Sequence, residues 1–207
     1  MSATTIDHTR TLRDLYGAPR EPTLVDVPEL AFLMIDGHGD PNTAATYREA
    51  IDALYGVSFT MRFAVTAGGG PAYKVMPLES LWWSVDGVGP LAADRSAWSW
   101  TAMIMQPPPV TAAAIEAAKA TAAARRPLPA VERMRWARLR EGRAAQMMYV
   151  GPWRDEGPAI ARLHAFIAAR GLVPTGLHHE IYLGDPRRTA PERLRTIIRQ
   201  PVSTGSP

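Results

Sequence analysis

Apolar positions along the chain change their spacing several times, and each change marks an element. "ELAFLMIDG" (29–37) is a compact apolar run closed by Gly37 and predicts a buried strand. Asp40, Asn42 or Thr43 can cap the helix that follows, in which Tyr47, Ile51, Leu54 and Met61 recur at helical spacing. The glycines of "AGGGP" (67–71) stop it. "AYKVM" (72–76) and "LWWSVD" (81–86) predict two short strands, and "WSWTAMIM" (98–105) a third, halted by the prolines at 107–109. "VTAAAIEAAKATAAARR" (110–126) is an Ala-rich helix, and "MRWARLREGRAAQMMYVG" (134–151) predicts two strands around a turn at Glu141–Gly142. "DEGPAIARLHAFIAARG" (155–171) is a helix with Ile160, Leu163 and Ile167 on one face and Gly171 just past its end. "HHEIYLGDPRR" (178–188) opens as a strand, and "RLRTIIRQPV" (193–202) predicts the last one.

The elements repeat in order. "FLMIDGHGDPNTAATYREAIDALYG" and "QMMYVGPWRDEGPAIARLHAFIAARG" both run strand, Gly, polar turn, amphipathic helix, Gly, and strand-like stretches follow each. This suggests an α+β fold made of duplicated strand–helix–strand–strand modules; ordinary alternation of segments would give the same pattern. The expected organisation is an N-terminal arm (1–24), one domain (25–202) of two modules (about 25–105 and 130–202) joined by the Ala-rich helix, and a short tail (203–207).

Composition narrows the function classes. The 207 residues are 46% hydrophobic and 21% charged, with 23 Lys+Arg against 20 Asp+Glu, which is a globular balance with a mild charge of +3. The C-terminal basic residues, Arg187, Arg188, Arg193, Arg195 and Arg199, alternate with apolar ones and read as a solvated face; no nucleic-acid partner is expected. Absence of cysteine excludes disulfides, thiolate metal sites and a Cys nucleophile. No signal-like segment or membrane-length apolar run is visible, so a soluble cytoplasmic protein, monomer or homodimer, is expected. The histidines form no metal-binding pattern, and neither a metal nor a cofactor is expected.

The candidate chemistry centres on one acid. Alternation along 177–183 puts Leu177, His179, Ile181 and Leu183 on one face and His178, Glu180 and Tyr182 on the other. Glu180 between two rings is either a solvated strand carboxylate or a single charge in an aromatic pocket, where burial would suit it to act as a general base. Trp82, Trp83, Trp98 and Trp100 lie close together in sequence; they are core residues or an aromatic cage for a flat or cationic ligand. Tyr73 follows the glycine loop and is either an edge tyrosine or a hydrogen-bond donor beside a pocket. The glycine loop lacks the Lys-Ser/Thr and the helix of a phosphate-binding loop.

Taken together, "VMPLESLWWSVDG", "WSWTAMIMQPPPVT", "EGRAAQMMYVGPWRDEGPAIARLHAFIAARGL", "HHEIYLGDPRR" and "LRTIIRQPV" resemble the GyrI-like small-molecule-binding family over roughly residues 25–202. The nearest likeness is to its stand-alone branch, which includes cyclopropanoid cyclopropyl hydrolases. The resemblance implies two modules related by a pseudo-twofold around a central cleft for flat, often cationic, aromatic molecules. It implies Glu180 and Tyr73 as catalytic residues and Trp82, Trp83 and Trp153 as ligand-binding; Trp100 of the Trp cluster, Tyr149, and the same-face neighbours His178 and Tyr182 complete the expected ligand-binding set. The chain departs from the branch at Ser80 of "PLES", where Gly is usual, at Tyr149, where His is more common, and at Trp153, where Tyr is usual. The implied activity is hydrolytic opening of the cyclopropane of DNA-alkylating genotoxins. The alternative is binding without catalysis, as in drug-sensing or drug-sequestering relatives; inhibition of a topoisomerase is a third reading.

Overall fold

The structure is a computed structural model that describes residues 5–84, 94–108 and 110–205. Two short helical turns, α1 (His8–Thr11) and α2 (Arg13–Tyr16), begin the chain. β1 (Thr23–His38), α3 (Ala45–Ala67), β2 (Leu78–Ser84), β3 (Trp98–Met105) and α4 (Ala112–Arg125) follow. β4 (Arg135–Val150), α5 (Gly157–Ala168), β5 (Leu172–Pro174), β6 (His178–Tyr182) and β7 (Arg195–Thr204) complete it. The strands pair antiparallel in the order β4-β1-β3-β2-β6-β7-β5, and β4 also pairs with β7. Six strands therefore close into a barrel-like sheet, with β5 attached to the end of β7. No helix among the described residues is long and apolar enough to cross a membrane.

Several elements differ from the expectation. "AYKVM" is not a strand; Tyr73 makes one isolated bridge to Ile6, and β2 begins after Pro77. Pro71 and Pro77 bracket the segment and offer no N–H for a ladder. "MRWARLREGRAAQMMYVG" is one long strand and not a hairpin. Gly142 takes φ +68, and this residue kinks β4 instead of reversing it. β4 thereby pairs with β1 along Arg135–Gln146 and with β7 along Ala144–Val150. α3 is preceded by Ala44, which provides no side-chain cap; Asp40 instead closes the turn before it, accepting from the Asn42 and Ala44 amides. Val85 and Asp86 of "LWWSVD", and Pro109, lie outside the described residues.

Alternation gives the sheet two faces. On the outer face α3 lays Ala50, Ala53, Leu54 and Val57 among the buried residues of β1 and β3, while Ile160, Leu163 and Ile167 of α5 cluster with Ala145, Met147, Ile198 and Val202. Gly37 stands opposite Trp100 in the β1–β3 register, and a Cβ there would run into the indole, so the ring needs a glycine beside it.

The inner face is partly polar. His179 Nε2 lies 3.0 Å from Glu79 Oε2, and its Nδ1 lies 3.0 Å from Glu141 Oε1. Arg199 donates to Glu141 Oε2 (3.0 Å), to Gln146 Oε1 and to the Leu15 carbonyl (2.6 Å). Tyr16 donates to Glu79 Oε1 (2.7 Å). One network thus ties β2, β4, β6 and β7 to the N-terminal arm. Burial alone would lower the His179 pKa, but the charge of Glu141 and the hydrogen bonds to Glu141 and Glu79 outweigh it and raise it to about 9. Burial would likewise raise Glu141, but His179 and Arg199 hold it down at about 2.

Arg199→Met should cost about 3–5 kcal/mol in urea unfolding, because it leaves a buried carboxylate short of its partner and two buried acceptors short of a donor. The network also sets a pH window. The His179 contribution is complete below its ordinary pKa of 6.5 and is lost as pH rises through about 9. The Glu141 contribution is complete above 4.5 and is lost as pH falls through about 2. Urea midpoints should therefore fall as pH is raised from 6.5 to beyond 9, and His179→Gln should flatten that decline.

Candidate functional site

β6 presents its two sets of side chains to different environments. His179 and Ile181 face the inner network, and His178, Glu180 and Tyr182 face outward between α3 and the turn before α5. In register, Glu180 sits between Ser80 of β2 and Ile198 of β7, and Tyr182 sits opposite Thr196. A strand two residues from the edge of a polar turn would normally expose its acid. Here neighbours on both sides cover it, and Glu180 is 8% exposed.

Two groups hold its carboxylate. The Tyr182 hydroxyl donates to Oε2 at 2.7 Å, and His178 Nε2 lies 3.2 Å from Oε1. Tyr182 in turn accepts from the Trp82 indole N–H at 3.2 Å, so an ordered chain of donors runs from β2 to the acid. Glu156, just before α5, is buried as well, and Glu180 acts on it electrostatically. Burial would raise the pKa of Glu180, but the hydrogen bond and charge of His178, with the bond from Tyr182, lower it. Glu180 is thus an ionised carboxylate in a desolvated setting. Burial, and then the Glu180 charge, push Tyr182 well above its ordinary range and keep it a neutral donor.

Aromatic rings enclose the acid. Trp82 packs on Tyr47 and Trp98 with centroids 5.6 Å apart in each case. Tyr47 also meets Trp100 edge-on at 4.8 Å, and its hydroxyl is 2.9 Å from Ser80 Oγ. Trp153 approaches Tyr182 at 5.4 Å and donates its indole N–H to Thr196 Oγ1. Several polar atoms here are buried with no hydrogen-bond partner among the described residues: His178 Nδ1, Glu156 Oε2, Trp98 Nε1 and Trp100 Nε1. Unsatisfied groups concentrated around one acid are unusual in a folded protein and suit a site that completes its hydrogen bonds with a ligand or water.

The expected site residues are placed unevenly. Trp82, Trp153, His178 and Tyr182 join Glu180 directly or through one contact. Trp100 backs the cluster from a fully buried position behind Tyr47. Trp83 points to the opposite face of β2 from Trp82, as alternation requires. Tyr149 pairs across from Thr196, donates to the Pro152 carbonyl (2.9 Å) and borders a surface cavity of about 300 Å³ with Arg20 and Arg162. Tyr73 is buried beside the N-terminal arm, its ring 6.3 Å from His8 and its hydroxyl unpartnered among the described residues; none of its ring contacts is with the Glu180 cluster. Sequence reasoning missed Tyr47 and Glu156. Tyr47 was absorbed into the apolar spacing of α3, and Glu156 looked like an ordinary acid at a helix start.

The GyrI-like small molecule binding domain matches the chain over residues 20–203. An uncharacterized conserved protein from Listeria innocua is 38% identical, with a TM-score of 0.89 over 96% of this chain and 100% of that one. Two structures of a hydrolase from Listeria innocua are also similar. One is 37% identical with a TM-score of 0.84 over 96% of this chain and 100% of the other. The second is 36% identical with a TM-score of 0.86 over 97% and 100%. No curated protein sequence matches the chain significantly. With a family match across nearly the whole chain and a buried, aromatic-lined carboxylate on its outer sheet, the protein belongs to the GyrI-like small-molecule-binding family.

Proposed function

We propose that this protein is a hydrolase that opens the cyclopropane of DNA-alkylating cyclopropanoids with water, and so detoxifies them. The observation that carries the reading is Glu180, an ionised acid buried among rings and held by the Tyr182 hydroxyl and His178, with no lysine or arginine hydrogen-bonded to it among the described residues. The similarity to a hydrolase from Listeria innocua supports it. In the same reading the site lies between two pseudo-twofold modules, one built on β1, α3, β2 and β3 and the other on β4, α5, β6 and β7. The order of elements supports that duplication.

The chemistry needs little apparatus. The flat dienone stacks against indole and phenol rings. Glu180 orients a water and takes its proton as the water oxygen bonds to the cyclopropane methylene. The ring C–C bond breaks, and its electron pair flows through the conjugated system to the carbonyl oxygen, which becomes a phenolate and takes a proton from solvent. Glu180 returns its proton to solvent, so that one water is consumed and a hydroxymethyl phenol is formed. Positioning and exclusion of bulk water supply most of the rate gain, because ring strain already lowers the barrier. Tyr73 enters this reading as a donor to the water or the developing oxyanion, its hydroxyl being unpartnered among the described residues.

The second reading is sequestration of a cationic aromatic molecule, favoured by a buried carboxylate surrounded by aromatic faces. Loss of dienone absorbance in the presence of purified protein separates the two. The hydrolase reading expects acceleration over buffer and a fall of about 10²–10⁴-fold in Glu180→Gln. No acceleration, together with fluorescence quenching by rhodamine 6G, would leave sequestration. Tyr73→Phe is expected to lower kcat about tenfold, the worth of one hydrogen bond to a charged group, without weakening rhodamine binding. An unchanged kcat removes Tyr73 from the mechanism.

A further inference from the structure

The chain enters β3 through one tight turn, Arg95–Ala97. Asp94 caps it, its carboxylate accepting from the Ser96 amide at 3.0 Å. The Trp98 amide then donates to the Arg95 carbonyl, which brings residue 95 back over residue 98. The Arg95 guanidinium accordingly lies over the Trp98 ring, 5.3 Å from its centroid. The side chain is half-buried, and it makes no ion pair and no side-chain hydrogen bond among the described residues. The indole is the partner that the fold gives it, and its N–H donors stay free.

Register ties that ring to the site. Trp98 lies opposite Ser84 of β2, Trp82 lies opposite both Trp100 of β3 and His178 of β6, and Ser80 lies opposite Glu180. Alternation puts all of these on the same outer face. Trp98 packs edge-on against Trp82 at 5.6 Å, Trp82 donates to the Tyr182 hydroxyl, and that hydroxyl donates to Glu180. β3 stands two strand spacings from β6, about 10 Å. Arg95 therefore flanks the aromatic wall on the side away from the acid, and no hydrogen bond joins it to Glu180 among the described residues. Its charge is felt across the site, at buried Glu156 before α5.

We infer that Arg95 is a specificity-determining residue of this site: its guanidinium occupies the face of Trp98, so that a cationic ligand must displace it and meet its charge, while a neutral flat molecule with a polarised carbonyl is accepted and offered free N–H donors. A ring face attracts a cation, but two like charges at one ring repel each other. The wall then has opposite charges on its two flanks, Glu180 from β6 and Arg95 from the turn before β3, with indoles between them. Such a field favours a molecule whose charge separates along its length over one with a net positive charge. A dienone whose carbonyl gains electron density as its ring opens is of that class. The inference rests on the cluster around Glu180 being the ligand site, which hydrolysis and sequestration share; the choice of a dienone rests on the hydrolase reading.

Fluorescence titration of the full chain with two flat dyes tests this without turnover. Rhodamine 6G is a cation, and Nile red is neutral and carries a carbonyl. Arg95→Gln removes the charge and should tighten rhodamine 6G binding about 3–10-fold, without tightening Nile red. Arg95→Lys keeps a cation for the ring and should leave rhodamine 6G within about threefold of the wild type. A rhodamine 6G affinity unchanged in Arg95→Gln overturns the inference, as does equal tightening of both dyes, which would mean that the side chain only fills space. Glu180→Gln locates the dye: it should weaken rhodamine 6G, and an unmoved affinity takes the ligand away from Glu180 and overturns the inference with it. Failure to open a cyclopropanoid overturns the hydrolase reading alone, because dye selectivity does not depend on turnover.

Discussion

The fold is organised around an ion cluster inside the barrel, where His179 bridges Glu79 and Glu141 and Arg199 completes the charge balance. These charges can be buried only if each finds its partner, and the partners come from β2, β4, β6 and β7 and from the arm. An unpartnered carboxylate in the interior costs several kcal/mol, so the network tolerates few alternative registers. Apolar side chains alone would allow β6 to slide against β2; a two-residue slip keeps the same face inward but moves His179 out of its diagonal place beside Glu79. The same contacts draw in the arm, since Tyr16 and the Leu15 carbonyl satisfy groups that the strands leave open.

Fixing the register of β6 also fixes the site. Once His179 is held inward, alternation leaves His178, Glu180 and Tyr182 no choice but the outer face. There Ser80 lies beside the acid, Trp82 beside His178, and Thr196 beside Tyr182. α3 then brings Tyr47 over β2, and the turn before α5 brings Trp153 over β6 and β7. The two faces of one short strand thus do different work. The inner one is fully satisfied and holds the barrel together, while the outer one retains unpartnered polar atoms in a dry aromatic setting.

That contrast gives the site its chemical character. The inner carboxylate Glu141 is neutralised by Arg199 and His179 and is of no use to a ligand. Glu180 is held by Tyr182 and His178, with no lysine or arginine hydrogen-bonded to it among the described residues. A carboxylate in such a low-dielectric, aromatic setting acts strongly on a nearby water or cation.

Much of this was legible in the chain. The spacing of Ile160, Leu163 and Ile167 specified α5, and the alternation around Glu180 correctly assigned its neighbours to the two faces. The motifs around "LWW", "HHEIYL" and "RQPV" carried the family resemblance, because those residues occupy the strands that build the floor of the site. Three things depended on the tertiary structure. Gly142 could be read as a turn or as a kink, since a left-handed glycine serves both, and only pairing with two strands made it a kink. Nothing in a one-dimensional pattern distinguishes Glu156 from any other acid at a helix start; its burial, with Oε2 unpartnered among the described residues, comes from the packing around it. The environment of Glu180 was undecided for the same reason. Local sequence sets which way a side chain points, but burial and charge depend on which distant groups the fold brings against it.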